Sequence, residues 1–327
     1  GKGEIRRADD AFDKVAESWR QAKLPSYTIK SRWLVYQMQG KFDAAYRLMT
    51  EAKEKGENPF TSEAMPLSGL GPIESTLGDI SVSLGLLDEA VHHFGLSHRI
   101  FEAQGQTWLS ALNFSHTLGT VLRLQGKMEE ARRQIESEVS TARSVGFDQR
   151  IATRLHELAR LEYDEGRYAE SEAALAEALA IAESIGFLFI EALILCQMGH
   201  TAAIQGKREA ADYYRRALDI ATEQGMNGIV ADVLKGVAQL RADAGDVTQA
   251  VEWLALVAGD SPADWETKQK AQKALAQLEE SLSAEESRAA QERGRAADLA
   301  DAVAEDGGGR GRGGPRAPDG GRGSHPG

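Results

Sequence analysis

Six glycines recur along this chain at near-constant intervals: Gly40, Gly85, Gly126, Gly166, Gly206 and Gly245, spaced by 45, 41, 40, 40 and 39 residues. A second ladder runs beside them: Gly56, Gly105, Gly146, Gly186, Gly225 and Gly259. The stretches between the rungs have helical length and helical apolar periodicity. A glycine just past a helix supplies the left-handed conformation that ends it without a Cβ penalty. Twelve such stops in two parallel ladders therefore predict stacked helical hairpins, because a fixed period of this size is the mark of a repeat architecture. Each hairpin buries its apolar face only against its neighbours, so 327 residues need not form one large globule.

Composition agrees with helices. Apolar residues make up 42% of the chain, aromatic residues 6%, and there are 8 prolines. Ala, Leu, Glu, Arg and Gln lose little on entering a helix. The formal net charge is −12, a poor match for phosphate backbones, and direct nucleic-acid binding is not expected. One cysteine, Cys196, rules out an internal disulfide and fits a reducing, cytoplasmic setting. No apolar run reaches the ~18 residues of a membrane span. The sequence begins GKGEIRRADD, without an initiating Met, and reads as a fragment whose upstream part is missing.

The fourth unit, LHELARLEYDEGRYAESEAALAEALAIAESIG, shows the plan. Leu155, Leu158 and Leu161 precede Gly166. Tyr168, Ala174, Leu175, Ala178, Leu179 and Ala182 follow it at helical spacing. A small residue recurs on the first helix of each unit (Gly78, Gly119, Ala159, Gly199, Ala238). An apolar or aromatic residue follows the hinge (Phe42, Leu87, Met128, Tyr168), and an alanine lies further along the second helix (Ala45, Ala90, Ala131, Ala211, Ala250).

These positions resemble the tetratricopeptide repeat over roughly residues 8–260. The period near 40 departs from the standard 34, and glycine stands where a proline usually closes the unit. HEAT and armadillo repeats share the period but fit the hinge-then-alanine signature less well. The longer, glycine-closed units look like the repeat region of MalT-type bacterial regulators of the STAND class. The resemblance implies an all-α, right-handed superhelix of about six hairpins over residues 1–260. It also implies an effector-sensing or protein-binding role, with a nucleotide-binding domain upstream. Two alternatives are a free-standing adaptor and the C-terminal part of a cyclase- or kinase-containing signalling protein.

Residues 9–23 read as a lone second helix, and 57–72, with Pro59, Pro66 and Pro72, as an irregular loop. Ser261 and Pro262 read as an N-cap and first-turn proline; Ser283 with Glu286 reads as a capping box. The helices of 261–305 are expected to cap the apolar end of the last unit, and AAQERGRAADL resembles the closing segment of such signalling proteins. Residues 306–327 are Gly/Arg-rich and too poor in apolar groups to order. Their Arg310, Arg312, Arg316 and Arg322 resemble an RGG tail, against the simpler reading of an unselected extension.

No P-loop, HExxH, paired CxxC or GxSxG occurs, so no catalytic site and no cofactor is expected. The 50 carboxylates fall mostly on expected solvent faces, and His92, His93 and His98 on the surface of a second helix. His116, His156 and Cys196 share one first-helix register position. Adjacent units lie about one helix diameter, roughly 10 Å, apart, too far for shared ligation, and no metal is expected. The same register lines one concave strip with Asn113, His116, Thr120, Arg123, Thr153, His156, Arg160, Tyr163, Cys196 and His200. Donors, an aromatic and two arginines suit a peptide partner or a small effector carrying an acidic group.

Overall fold

The computed structural model describes residue 36 and residues 39–56, 70–105 and 118–308. Among these the chain is helical, with no strand. The helices are α1 (Phe42–Lys55), α2 (Leu70–Leu84), α3 (Leu87–Ala103), a helical segment at 118–124, α4 (Met128–Ser144), α5 (Asp148–Asp164), α6 (Tyr168–Ile185), α7 (Leu188–Ile204), α8 (Ala210–Glu223), α9 (Asn227–Asp243) and α10 (Val247–Ala258). Three more follow: α11 (Trp265–Glu279), α12 (Ala284–Ala296) and α13 (Leu299–Gly308). Among the described helices α1 packs on α2 and α2 on α3, each helix from α4 to α10 packs on its successor, and α5, α7 and α9 also pack in a row. This is an α-solenoid of helical hairpins. Residues 9–23, 57–69 and 309–327 lie outside the described residues, and the readings made of them are untouched.

Gly166 shows how a hinge is built. Its φ is +75°, its N–H bonds Tyr163 O at 3.0 Å, and the Arg167 N–H bonds Glu162 O at 2.8 Å. That pair of bonds satisfies carbonyls the ending helix leaves free. Eleven of the twelve ladder glycines have positive φ. Gly259 does not: at φ −84° and ψ −135° it leads into the extended turn before α11.

The small first-helix residues let the second helix approach. A Cβ on Gly78 would overlap the Phe94 ring, one on Gly119 the Ile135 side chain, and one on Gly199 the Tyr214 ring. The alanine assignment slips in the fifth unit. Ala210 is buried and Ala211 exposed, because the Ala210 N–H closes a tight turn onto Lys207 O and advances α8 by one residue. The main core runs from Ala131 to Val233, with Leu161, Leu175, Ile190, Ile194 and Tyr214 nearly inaccessible.

Several local expectations change. Pro72 lies in the first turn of α2, where its missing N–H costs nothing, so the loop ends before Leu70. Asp264 caps α11 by accepting from the Thr267 N–H at 2.8 Å, while Ser261 Oγ donates to Val257 O. The Ser283–Glu286 capping box is present. The last helix breaks at Ala297 and resumes at Leu299, and α13 reaches Gly308. His93 is mostly buried and bonds Glu74 at 2.7 Å. Glu74, Glu138, Glu162 and Glu266 are likewise buried in ion pairs, off any solvent face.

The helices after Gly259 do two jobs. α12 packs on α10, and Ala271, Leu275, Ala290 and Ala302 join Trp253 and Leu254 in a second core. α11 turns back into the concave side, touching α9, α10 and α2. Its Trp265 ring lies against Gly85, and the preceding Pro262 carbonyl lies against Gly40, so the two ends of the solenoid meet.

Candidate functional site

Three parallel helices, α5, α7 and α9, present side chains toward the concave side, and α11 lies across them. The cavity between them is about 260 Å³ and is lined by Arg160, Tyr163, Gln197, His200, Asp232, Lys235, Gln239, Glu266 and Lys270, with Tyr214 and Gly236 at its base. Larger hollows lie elsewhere, such as one of 420 Å³ between α8, α9 and Val303.

One half of the site is a charge clamp. Arg123, whose side chain is 1% exposed, places Nη1 and Nη2 on Glu266 at 3.0 and 2.7 Å and also pairs with Asp164. Arg160 Nη2 reaches the same carboxylate at 2.5 Å, and Lys270 at 2.9 Å. Burial alone would raise the Glu266 carboxyl, but Arg160, Arg123 and Lys270 outweigh it and hold it well below the usual carboxylate range. Burial works in the same sense on Glu157, where Arg160 and His156 prevail and keep it ionised. Burial lowers His156, which stays neutral beside Glu157.

The other half joins α7 to α9. Cys196 Sγ lies 3.4 Å from His200 Nε2 and 3.5 Å from Asp232 Oδ2, and His200 Nε2 lies 3.3 Å from Asp232 Oδ1. Tyr214 Oη meets His200 Nδ1 at 2.8 Å, and Lys235 Nζ meets Asp232 Oδ1 at 2.5 Å. Burial pushes the Cys196 thiol well up, and Asp232 adds to it. Burial opposes ionisation of Asp232, but Lys235 and His200 overcome it and hold the carboxyl well down. Gln197, 8% exposed, borders this site, and its buried Nε2 has no hydrogen-bond partner among the described residues.

The expected strip is partly assembled. Tyr163 and His200 line the cavity. Arg123 and Arg160 do not stand free for an acidic ligand, because Glu266 of the same chain already occupies both. Thr153 spends its hydroxyl on Gln149 O at 2.8 Å, and Thr120 donates to Glu157 at 2.7 Å. His156 is buried against Glu157 and does not line the cavity. Asn113 and His116 lie outside the described residues. The roughly 10 Å spacing separates equivalent positions of adjacent units, whereas Cys196 and His200 lie one turn apart on α7 and Asp232 of the next unit reaches both.

Asp232 and Lys235 were legible: the register series Thr153, Leu193 carried one unit further gives Asp232, and the series His156, Cys196 gives Lys235. Glu266 and Lys270 were not. Glu266 stands 143 residues from Arg123 and outside the repeat period.

The sequence model described as Tetratricopeptide repeat matches residues 109–184. No curated protein matches the chain. Among solved structures, a Rap protein complexed with competence and sporulation factor is 16% identical, with a TM-score of 0.55 over 80% of this chain and 75% of that one. BtubC (BKLC) from P. vanneervenii is 18% identical, with a TM-score of 0.43 over 68% of this chain and 92% of that one. None of the described helices is long and apolar enough to cross a membrane. The matched repeat segment and the fold of the whole together support a tetratricopeptide-like repeat protein.

Proposed function

We propose that this chain is a non-enzymatic recognition module that takes a peptide or a short protein segment into the cavity between α7, α9 and α11. The observation that carries the reading is Gln197. A buried amide donor without a partner among the described residues costs about 1–3 kcal/mol, and a turn of the side chain toward the cavity it borders would let a ligand carbonyl satisfy it. Tyr163 offers a ring face, with Lys270 Nζ 5.9 Å from its centroid, and His200 and Gln239 offer further polar contacts. The matched Rap structure is of a protein complexed with competence and sporulation factor, which is consistent with ligand capture on this scaffold.

In this reading the module is the C-terminal part of a multidomain bacterial signal-transduction or transcription regulator of MalT type. An upstream nucleotide-binding domain would be released when the cavity fills, a small effector being the other ligand size that fits. The partner is protein or peptide, with no direct role for nucleic acid or membrane. A displayed random-peptide library selected against the full chain tests it. Selected peptides should bind with affinity that falls at least about tenfold, or 1.4 kcal/mol, in Gln197→Leu and in Tyr163→Ala. They should bind unchanged in Arg143→Ala, whose side chain is exposed and pairs with Glu177 away from the cavity. Equal affinity across all three variants would place recognition elsewhere.

A further inference from the structure

We propose that Cys196, His200 and Asp232 form a binding site for a transition-metal ion of the Zn²⁺ class, joining two adjacent repeats at the base of the cavity. Cys196 Sγ lies 3.4 Å from His200 Nε2, each of the two meets one oxygen of the Asp232 carboxylate, Oδ2 at 3.5 Å and Oδ1 at 3.3 Å respectively, and one donor atom from each residue lies within 4.8 Å of the others. Tetrahedral Zn²⁺ holds Cys sulfur at about 2.3 Å, His nitrogen at about 2.0–2.1 Å and carboxylate oxygen at about 2.0–2.2 Å, which sets neighbouring donors about 3.3–3.6 Å apart. The three side chains are therefore gathered close to the size of one face of that tetrahedron, and a small rotation of the Asp232 carboxylate would bring one oxygen within reach of both partners. An i, i+4 pair on α7 supplies two corners, and α9 supplies the third.

The surroundings fit a ligand set. Tyr214 Oη engages His200 Nδ1 at 2.8 Å and so turns Nε2 toward Cys196 and Asp232. Metal-bound histidines are typically oriented through their second nitrogen in this way. Tyr214 is itself fixed between Gly199 and Gly236. Two of the three ligands line the cavity, so the fourth position opens onto it. Three protein ligands and one open position is the pattern of a site that takes an exogenous donor. A thiolate, a neutral imidazole and a carboxylate give two negative charges against the ion's two positive ones. On binding, the Cys196 thiol gives its proton to solvent. The mixed S, N, O set suits Zn²⁺ or Co²⁺ better than Mg²⁺ or Ca²⁺, which take oxygen ligands.

Lys235 is the resident competitor. Its Nζ sits 2.5 Å from Asp232 Oδ1, near where the cation would stand, and its flexible stem borders the cavity into which it can swing. This yields a test that a merely structural hydrogen-bond cluster would fail. The full chain, stripped with chelator and kept reduced, is titrated with Co²⁺ and then with Zn²⁺ against a colorimetric chelator. Expected are one ion per chain, visible absorption of tetrahedral Co²⁺ and a thiolate-to-cobalt charge-transfer band. Cys196→Ser should remove that band, and Asp232→Asn should weaken Zn²⁺ binding. Tyr214→Phe should weaken it about tenfold, and Lys235→Met should tighten it. Far-UV circular dichroism of each variant identifies any that fail to fold, and Asp232→Asn, equal in size, gives the reading if Cys196→Ser is lost. No Co²⁺ band in the wild type, or Zn²⁺ affinity unchanged in Asp232→Asn and in Lys235→Met, would overturn the proposal. Neither result bears on peptide capture, which is read separately through Gln197 and Tyr163.

Discussion

Tyr214 is held by what its neighbours lack. Gly199 on α7 and Gly236 on α9 both leave space that its ring fills, and a Cβ on either would overlap it. The ring is almost fully buried, and its hydroxyl finds His200, so burial of a polar tip carries no penalty. Gly199→Ala should therefore destabilise the chain by about 1–3 kcal/mol, the range for inserting a methyl into a packed core. Thermal melting checks this, and a melting temperature equal to wild type would show that the ring has room to move. The glycine on α7 was legible as a small residue at a fixed repeat position. That Gly236 serves the same ring was not, because it depends on which face of α9 meets α8.

α11 is where local pattern and position part company. Its sequence signals a helix, and Asp264 starts it by ordinary capping. Its place in the groove is set by Trp265 against Gly85 and by Glu266 on Arg123 and Arg160. Removing one partner of a buried ion pair costs about 3–5 kcal/mol, and Glu266→Gln should fall near the low end because Asp164 still pairs Arg123. The pH dependence has a definite sign. The folded-state pKa of Glu266 lies well below its unfolded value, so its contribution is complete above the unfolded carboxylate range. It is lost as pH falls through and below that range. The stability gap between wild type and Glu266→Gln, measured by denaturant unfolding, should be widest near neutrality and close under acid. A gap that stayed constant from neutral to acid pH would mean that the carboxylate charge contributes nothing there.

Across the whole molecule, the C-terminal helices both seal the last hairpin and draw the two ends of the solenoid together. Trp253, Leu254, Leu256 and Val257 of α10 are covered by α11–α13, and Pro262 reaches Gly40 in the first hairpin. A terminal unit of a repeat array needs a polar outer face to stay dispersed. Ending the chain after residue 260 should therefore lower the melting temperature by several degrees and increase binding of a hydrophobic dye, since both the apolar end and the arginine pair lose their cover. Unchanged melting and dye binding would show that the repeats close without these helices.

The helical hairpins, their period, eleven of the twelve left-handed hinges and the small residues under the second helices follow from the sequence alone. Each depends on groups within one or two units, where 3.6-residue periodicity and glycine's backbone freedom act directly. The register also reaches Tyr163, Cys196, His200, Asp232 and Lys235, since a repeat carries equivalent positions to equivalent places. What only the tertiary structure decided is which of these meet. Glu266 arrives from outside the period to occupy two arginines, and Asp232 crosses from the next unit to Cys196 and His200. Such encounters depend on how far each unit rotates on the last and on where the chain turns back. Those are properties of packed surfaces, which no local pattern encodes.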